Sequence, residues 1–157
     1  MQKITPFLWF DGRAEEATNF YISIFKNSKL LNVASYGEGG PGPKGTVMST
    51  TFQLDGQEFM ALNGGPHFKF TEAISFFVKC ETQTEIDELW EKLSAGGTKL
   101  QCGWLKDRYG VSWQIVPTVL GELLQSQNGA RSKRVMEALL KMEKISIDAL
   151  KQASAER

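Results

Sequence analysis

The chain repeats one pattern of strand, helix and further strands, and this repetition limits its fold more than any other feature. An apolar strand over 4–10 precedes a helix over 13–26 whose apolar residues share one face. A strand over 73–79 and a helix over 85–95 follow the same plan. A shift of 69 positions places Ile4 on Ala73, and Phe20-Tyr21 on Leu89-Trp90. Such internal duplication predicts an α+β fold of paired βαβββ units.

The remaining strands complete the two units to different extents. In the first unit the sequence predicts strands over 29–36, 46–54 and 57–63, the last two joined by an Asp55-Gly56 hairpin turn. In the second unit it predicts two strands, over 99–105 and 111–116. Thr82 or Thr84 is expected to cap the second helix, and Gly96-Gly97 to end it. We expect a single domain over 1–157, with a first unit at 1–63, a shortened second unit at 73–117 and a helical tail at 118–157.

The tail is helical and amphipathic. A short helix is predicted over 119–125, and Ser126-Gln127-Asn128-Gly129 breaks it. From Arg131 onward helical spacing returns, and Ser146 is expected to cap a last turn or two. An apolar stripe runs along this part of the tail: Val135, Met136, Leu139, Leu140 and Met142. We expect the tail to pack on the domain or on a second subunit.

Composition and charge exclude several classes of partner. Lys and Arg together number 18, as do Asp and Glu, so no net field draws the protein to nucleic acid or to an anionic membrane. No apolar run approaches the ~20 residues needed to span a bilayer, and the N-terminus lacks an apolar signal core. We expect a cytoplasmic protein in which both cysteines, Cys80 and Cys102, stay reduced.

One glycine motif does not indicate a nucleotide. Residues 37–42 match GxGxxG, but the dinucleotide fingerprint needs a strand before it and a helix directly after it. Here Pro43-Lys44-Gly45 and a β-branched strand follow. We predict a flexible loop between strands that flanks the mouth of a pocket.

Several motifs together carry a family resemblance that covers essentially the whole chain. They are Phe10-Asp11-Gly12 before the Phe20-Tyr21 helix, Ala61-Leu62-Asn63-Gly64-Gly65-Pro66, the segment 107–117 (DRYGVSWQIVP), and Lys133-Arg134-Val135-Met136-Glu137-Ala138. With the paired units, they make the chain similar to the PhnB-like group of the glyoxalase, bleomycin-resistance and dioxygenase superfamily, the vicinal oxygen chelate proteins. Members are sometimes labelled 3-demethylubiquinone 3-methyltransferases, a label to which the residues lend no chemical support.

The resemblance implies a sheet curled around a cavity, with metal ligands in the catalytic relatives on a first and a late strand of each unit. In this chain those positions fall near Pro6, near Ala61, near Ala73 or Ser75, and at Gln114. Divalent metals prefer imidazole or carboxylate ligands in such a cage, and none of these residues supplies one. We therefore expect no metal and no cofactor.

The candidate ligand-binding residues combine a few polar groups with aromatic rings, a pattern that suits a planar or hydrophobic small molecule. Each aromatic alone is also compatible with the core, because both strand faces are apolar. Arg108 can bind an anion or form a surface ion pair, and the single histidine can bond a ligand or have no task. The candidates are Trp9, Asn63, His67, Phe77, Trp104, Arg108, Trp113 and Gln114.

Three classes of function follow from these observations. The first is a small-molecule binding protein that needs a cavity and no metal. The second, which rests on fold analogy, is a metal-dependent lyase, isomerase or dioxygenase. The third is a purely structural dimer. A homodimer is expected in any case, since such relatives commonly pair and the stripe that includes Val135, Leu139 and Met142 needs a covering surface.

Overall fold

The computed structural model describes residues 2–156, and the chain divides into two units, Met1–Phe70 and Thr71–Arg157. Each unit contains one four-stranded mixed sheet with a helix packed on one face. The predicted α+β class with paired βαβββ units is confirmed. That the two units and the tail act as one domain remains a prediction.

The first unit follows the predicted order of elements. Its elements are β1 (Phe7–Phe10), α1 (Ala14–Ile24), β2 (Lys29–Ser35), β3 (Val47–Leu54) and β4 (Gln57–Asn63). The strand order is β1-β4-β3-β2, in which β1 and β4 are parallel and the other pairs antiparallel. Asp55 and Gly56 both have positive φ, of 48° and 80°, as a two-residue hairpin turn requires.

Helix α1 covers one face of the first sheet through β3 and β4. The Tyr21 ring is fully buried and stacks on Phe52 with the ring centroids 6.4 Å apart. The Thr18 and Thr50 hydroxyl oxygens lie 2.7 Å apart in a buried hydrogen bond. Because side chains alternate along a strand, the other face of this sheet carries Phe7 and Trp9 of β1.

The second unit has the same topology as the first. Its elements are β5 (Ser75–Cys80), α2 (Gln83–Ser94), β6 (Thr98–Lys99), β7 (Trp104–Lys106) and β8 (Ser112–Pro117), in the order β5-β8-β7-β6. The prediction of only two strands after the helix is wrong. Cys102 and Gly103 have φ values of 60° and 84°, and this left-handed turn breaks the predicted strand into β6 and β7.

The internal repeat is real, but its offset differs between helices and strands. Ala17 and Tyr21 of α1 lie 69 positions before Ile86 and Trp90 of α2, and all four are buried. In the strands the offset is 70, since Phe7 and Phe77 occupy equivalent positions and are 51% and 54% exposed. The alignment of Ile4 with Ala73 is therefore one residue out. A one-residue shift moves a strand side chain to the opposite face.

Three helices form the tail: α3 (Thr118–Leu124), α4 (Gly129–Leu139) and α5 (Ile147–Ala155). Asn128 and Ser146 cap α4 and α5 through their side-chain oxygens. The tail packs on β8 of its own chain around one buried cluster, which consists of Val116, Leu120, Val135, Leu139, Ile145 and Leu150. Val135, Leu139 and Met142 of the stripe are thus covered within the same chain, whereas Met136 and Leu140 are 39% and 60% exposed. The expected homodimer remains a prediction.

Two further sequence expectations can be compared with the structure. Thr82, rather than Thr84, caps α2 by accepting a hydrogen bond from the Glu85 main-chain nitrogen at 3.2 Å. The GxGxxG segment lies in the loop between β2 and β3 and is not followed by a helix. Within residues 2–156, no helix is long and apolar enough to cross a membrane.

Candidate functional site

Three predicted site residues meet on the face of the second sheet that α2 does not cover. Phe77 of β5 and Trp104 of β7 both lie directly opposite Gln114 of β8 in the strand register. Side chains directly opposite on neighbouring strands are about 5 Å apart at their Cβ atoms. Phe77, Gln114 and Trp104 therefore form one row across three strands, an amide between two aromatic rings, which we call the amide row.

Gln114 is held from one side only. Its Nε2 donates a hydrogen bond to the Ser75 hydroxyl at 2.9 Å. Within residues 2–156 no donor bonds its Oε1. Both Gln114 and Ser75 are half-buried, so the carbonyl oxygen lies at a partly desolvated apolar surface. This oxygen is a fixed acceptor for a hydrogen bond from a bound molecule.

A second polar atom lies in the neighbouring row of the same face. Ser112 pairs with Ser75 on one side and with Lys106 on the other, and its side chain is 1% exposed. Its Oγ has no hydrogen-bond partner among the described residues. A buried unpaired hydroxyl is destabilising by roughly 1–3 kcal/mol.

The cation nearest this row in the register is already paired. Lys106 forms an ion pair with Glu72, and its hydrogen bond lowers the pKa of the Glu72 carboxyl. Because that pair is largely exposed to solvent, its contribution to stability is small. The face that α2 does not cover therefore presents the hydroxyls of Ser75 and Ser112 and the amide of Gln114. The charge of the neighbouring Lys106 is balanced by Glu72.

Trp113 lies on the opposite face, against α2, although it is adjacent to Gln114 in sequence. It is 2% exposed, and its ring packs on Phe76 with the centroids 5.2 Å apart. Its indole Nε1 donates a hydrogen bond to the Asp107 carboxylate at 2.9 Å. Trp113 is thus a core residue, and its prediction as a ligand contact is corrected by strand alternation.

Asp107, which the sequence analysis did not single out, organises the turn before β8. The carboxylate is 3% exposed and accepts hydrogen bonds from the main-chain nitrogens of Tyr109 and Val111, at 2.8 and 3.1 Å. A signal was available, because an aspartate that opens a turn commonly bonds the main chain two residues on. Arg108 follows it but is exposed, and its Nε donates to the Ala95 carbonyl oxygen at the end of α2.

In the first unit, the predicted site residues have structural partners or none. Asn63 Oδ1 accepts from the Ala14 main-chain nitrogen at 2.8 Å, and its Nδ2 donates to the Val47 carbonyl at 3.1 Å. Trp9 Nε1 donates to the Gly65 carbonyl at 2.8 Å. His67 is exposed in a turn and makes no hydrogen bond within residues 2–156. These three residues belong to the first unit, whereas the amide row is formed within the second.

An open cleft of about 460 Å³ lies at the end of the first sheet. It is bounded by the turn after β1, the end of β4 and the loop between β2 and β3, as expected for a loop that flanks a pocket. Tyr36 lines the cleft, and its hydroxyl donates to the Asn63 main-chain carbonyl at 2.5 Å. The side chain of Asn63 bonds structural partners here, whereas the carboxylates of Asp11 and Glu15 also line the cleft.

The positions implied for metal ligands do not provide a metal cage. Ala61 is fully buried. It lies opposite Thr50, whose hydroxyl bonds Thr18 of α1, so Ala61 is on the sheet face that α1 covers. The residues of β4 on the other face are Glu58, Met60 and Leu62; Met60 and Leu62 pair with Phe7 and Trp9, and the Glu58 carboxylate accepts a hydrogen bond from the Thr5 hydroxyl. Among residues 2–156 no group of three or more His, Cys, Asp or Glu side chains is arranged to hold a metal. The hydroxyl of Ser75 and the amide of Gln114 do not match the ligands that transition metals prefer.

Neither cysteine contributes a reactive group to the amide row. Cys80 is fully buried, and burial, followed by a hydrogen bond with Glu85, raises the pKa of its thiol to about 12. The thiol is the nucleophile only when ionised, so Cys80 stays unreactive at neutral pH. Cys102 is half-buried at the turn between β6 and β7, and its Sγ lies 3.6 Å from the Leu139 carbonyl oxygen.

Two βαβββ units, each with a parallel strand pair and a sheet face that its own helix does not cover, give the chain the paired fold implied by its resemblance to the glyoxalase, bleomycin-resistance and dioxygenase proteins. A fosfomycin resistance protein, FosX, from Listeria monocytogenes has this fold, with a TM-score of 0.59 and 16% identity over 80% of this chain and 98% of that one. A protein from Pseudomonas aeruginosa is similar as well, with a TM-score of 0.61 and 23% identity over 74% of this chain and 96% of that one.

More specific matches give the family. The model of the family described as 3-demethylubiquinone-9 3-methyltransferase matches residues 2–116. A PhnB protein from Bacillus cereus, described as a putative member of that group, is 46% identical over 74% of this chain and all of its own, with a TM-score of 0.68. No curated protein matches the chain. The chain belongs to the PhnB-like 3-demethylubiquinone-9 3-methyltransferase family.

Proposed function

We propose that this protein binds a small, planar, uncharged molecule at the amide row, without a bound metal and as a homodimer. The observation that carries the proposal is the free carbonyl oxygen of Gln114 between two aromatic side chains. Aromatic rings favour flat apolar surfaces, and one fixed acceptor orients a ligand that has a matching donor. A phenol or a heteroaromatic N–H compound has both properties.

The electrostatics of the row support an uncharged ligand. Phe77 and Trp104 carry no charge, and the ammonium group of Lys106 is paired with Glu72. Transfer of an ion from water to such a surface without a free counter-charge is unfavourable. The Ser112 hydroxyl is a further group that a polar ligand atom, or a water molecule, can satisfy.

The same residues support binding without a metal over the metal-dependent lyase, isomerase or dioxygenase. Gln114 stands where the superfamily resemblance implies a metal ligand, and its amide already bonds Ser75. We expect elemental analysis of protein purified without chelator to find well below one equivalent of zinc, iron, nickel or manganese per chain. One equivalent that disappears in Gln114→Ala would overturn this part of the proposal and favour the metalloenzyme.

Gln114→Ala is expected to weaken ligand binding strongly while largely sparing the stability of the empty protein. The side chain makes one neutral hydrogen bond at a half-buried site, so its loss lowers the free energy of unfolding by only ~1 kcal/mol. Loss of the acceptor weakens binding about tenfold or more, because a buried ligand donor remains unpaired. The measurement is the shift in melting temperature caused by uncharged phenols and heteroaromatic N–H compounds, with and without chelator.

Gln53→Ala is the matched control for that experiment. Gln53 is also a half-buried strand glutamine, and its Nε2 makes one long hydrogen bond, of 3.3 Å, to the Asn27 carbonyl in the first unit. We expect this variant to keep the full ligand-induced shift. A shift that survives unchanged in Gln114→Ala would move the binding site away from the amide row.

A further inference from the structure

The amide of Gln114 and the hydroxyl of Ser75 form one polar unit on the sheet face that α2 does not cover, and we call it the amide-hydroxyl pair. Gln114 Nε2, on β8, donates a hydrogen bond to Ser75 Oγ, on β5, at 2.9 Å. Both residues are half-buried, so the pair lies at the surface of the sheet and not within the core. A bound molecule at the amide row therefore meets both residues and not Gln114 alone.

The hydrogen bond within the pair leaves an acceptor and two donors unused. A glutamine amide has two N–H donors and one acceptor oxygen, and a serine hydroxyl has one hydrogen and two lone pairs. The bond to Ser75 uses one N–H group and one lone pair of the hydroxyl. What remains is the Gln114 Oε1 acceptor, the second N–H of the same amide, and the O–H of Ser75.

The neighbouring side chains do not take up these groups. Ser112 lies opposite Ser75 in the register, but its Oγ has no partner among residues 2–156, so the Ser75 hydroxyl does not donate to it. In the same part of the chain, Ser112 Oγ is the only fully buried side-chain oxygen without a hydrogen bond. Gln114 Oε1, which no donor bonds there, is therefore not enclosed, and a ligand can reach it.

We propose that the ligand of the amide row is a planar lactam, an uncharged ring compound in which an N–H group stands next to a carbonyl group. This inference rests on the binding site proposed above and narrows its ligand class. The ligand N–H donates to Gln114 Oε1, and the ligand carbonyl accepts from the second N–H of Gln114 or from the Ser75 hydroxyl. A lactam satisfies two atoms of the pair at once, whereas a phenol, whose donor and acceptor share one oxygen, aligns with only one.

The aromatic residues of the row suit the flat ring of such a ligand. Phe77 and Trp104 lie on either side of Gln114, and the outer two of three adjacent strands are about 10 Å apart. Phe77 is 54% exposed, so part of its ring is uncovered and can contact a ligand ring. A lactam of two fused rings, bonded to Gln114, fits within this span and contacts an aromatic side chain.

An anion is the alternative ligand that the charges of this face bring into question. Lys79 lies two residues from Phe77 along β5, on the same side of the sheet, and it is exposed. An exposed ammonium group is hydrated and screened by salt, so it attracts an anion only weakly. A carboxylate, moreover, has no hydrogen to donate to Gln114 Oε1. The amide-hydroxyl pair therefore favours the uncharged lactam.

Three ligands that share a fused two-ring skeleton test the proposal on the unmodified protein. Carbostyril has the adjacent N–H and carbonyl groups, naphthol has a single hydroxyl, and N-methylcarbostyril has the carbonyl without the N–H. We expect carbostyril to bind roughly five- to tenfold more tightly than naphthol, because it makes one more neutral hydrogen bond, and N-methylcarbostyril to bind most weakly. The measurement is titration calorimetry in the presence of chelator, with naphthoate as the anionic ligand.

Gln114→Glu separates a donor-and-acceptor pair from a lone acceptor. The variant keeps the length of the side chain and an acceptor oxygen, but it replaces the N–H groups with a second, negatively charged oxygen. The carbonyl of carbostyril then faces a negative charge in place of an amide donor. We expect the preference for carbostyril over naphthol to disappear or reverse, while naphthol still binds. Gln53→Glu, which makes the same change on a half-buried strand of the first unit, is the matched control and should keep the preference.

The possible results separate the lactam from the binding site on which it rests. A preference for carbostyril that is lost in Gln114→Glu and kept in Gln53→Glu supports the proposal. Equal binding of naphthol and carbostyril, or a preference that survives in Gln114→Glu, overturns the lactam and leaves the site to be judged by Gln114→Ala. Tighter binding of naphthoate that Lys79→Ala removes overturns both the lactam and the uncharged ligand. If none of these ligands binds, the proposed function fails, and the lactam with it.

Discussion

Asp107→Asn is expected to lower the free energy of unfolding by about 2–4 kcal/mol. The carboxylate is buried and accepts hydrogen bonds from two main-chain nitrogens and from the Trp113 indole. Asparagine has only one acceptor oxygen, and its NH₂ group would face an N–H donor. Hydrogen bonds to charged groups contribute about 1.5–3 kcal/mol, and a buried donor left unpaired adds to the loss. In a chain of this size the melting temperature should fall by roughly 5–15 °C.

Trp113→Phe separates the parts of that network. It removes the indole donor but keeps an aromatic ring in the core and both main-chain hydrogen bonds to Asp107. Circular dichroism during heating should therefore show a smaller loss than for Asp107→Asn. Equal stability of Asp107→Asn and the unmodified chain would contradict the role given to the carboxylate.

Gly97→Ala is expected to destabilise the protein by about 3 kcal/mol, at the upper end for overpacking. A Cβ atom at this position would lie 2.1 Å from the Lys106 carbonyl oxygen and 2.7 Å from the Asp107 carbonyl carbon. Both are main-chain atoms, so β6 and the start of the 107–110 turn must separate to admit a methyl group. The melting temperature of the purified variant is the measurement.

Gly121→Ala is the matched control for this substitution. Gly121 lies inside α3, and a Cβ atom there would meet nothing within 4 Å. Alanine is the better helix former, and we expect this variant to gain roughly 0.5–1 kcal/mol. If both glycine variants lose stability equally, close main-chain approach is not the reason Gly97 is needed.

The sequence was sufficient for the elements whose signals are local. Helix α2 begins at a capping threonine, and the Asp55-Gly56 hairpin has the residues its turn demands, so both could be placed within two residues. The break between β6 and β7 could not be foreseen, because it depends on a left-handed φ at Cys102, a residue type that rarely adopts this conformation. A continuous apolar run therefore looked like one strand.

The candidate site was predictable only in part, because its geometry depends on strand parity. Gln114 and Trp113 are neighbours in sequence but lie on opposite faces. In β8 the polar residues Ser112 and Gln114 alternate with Trp113 and Ile115, and this alternation was a local signal for the open face. The positions of Phe77 and Trp104 became clear only from the register of β5 and β7 against β8. Asn63 looked like a ligand group for a similar reason: its two structural partners are distant in sequence.

Asn63 also has a consequence for the order in which the first unit assembles. Helix α1 has no local side-chain cap at Arg13, and its first amide is bonded by Asn63, which lies 49 positions further along the chain. Helix α2, in contrast, is capped by the adjacent Thr82. During folding α2 can be complete while its neighbourhood is still extended, whereas the first turn of α1 frays until β4 has joined the sheet and closed a long loop. The two halves of a duplicated sequence should therefore fold on different timescales, with the kinetics of the first governed by a hydrogen bond that spans 49 positions.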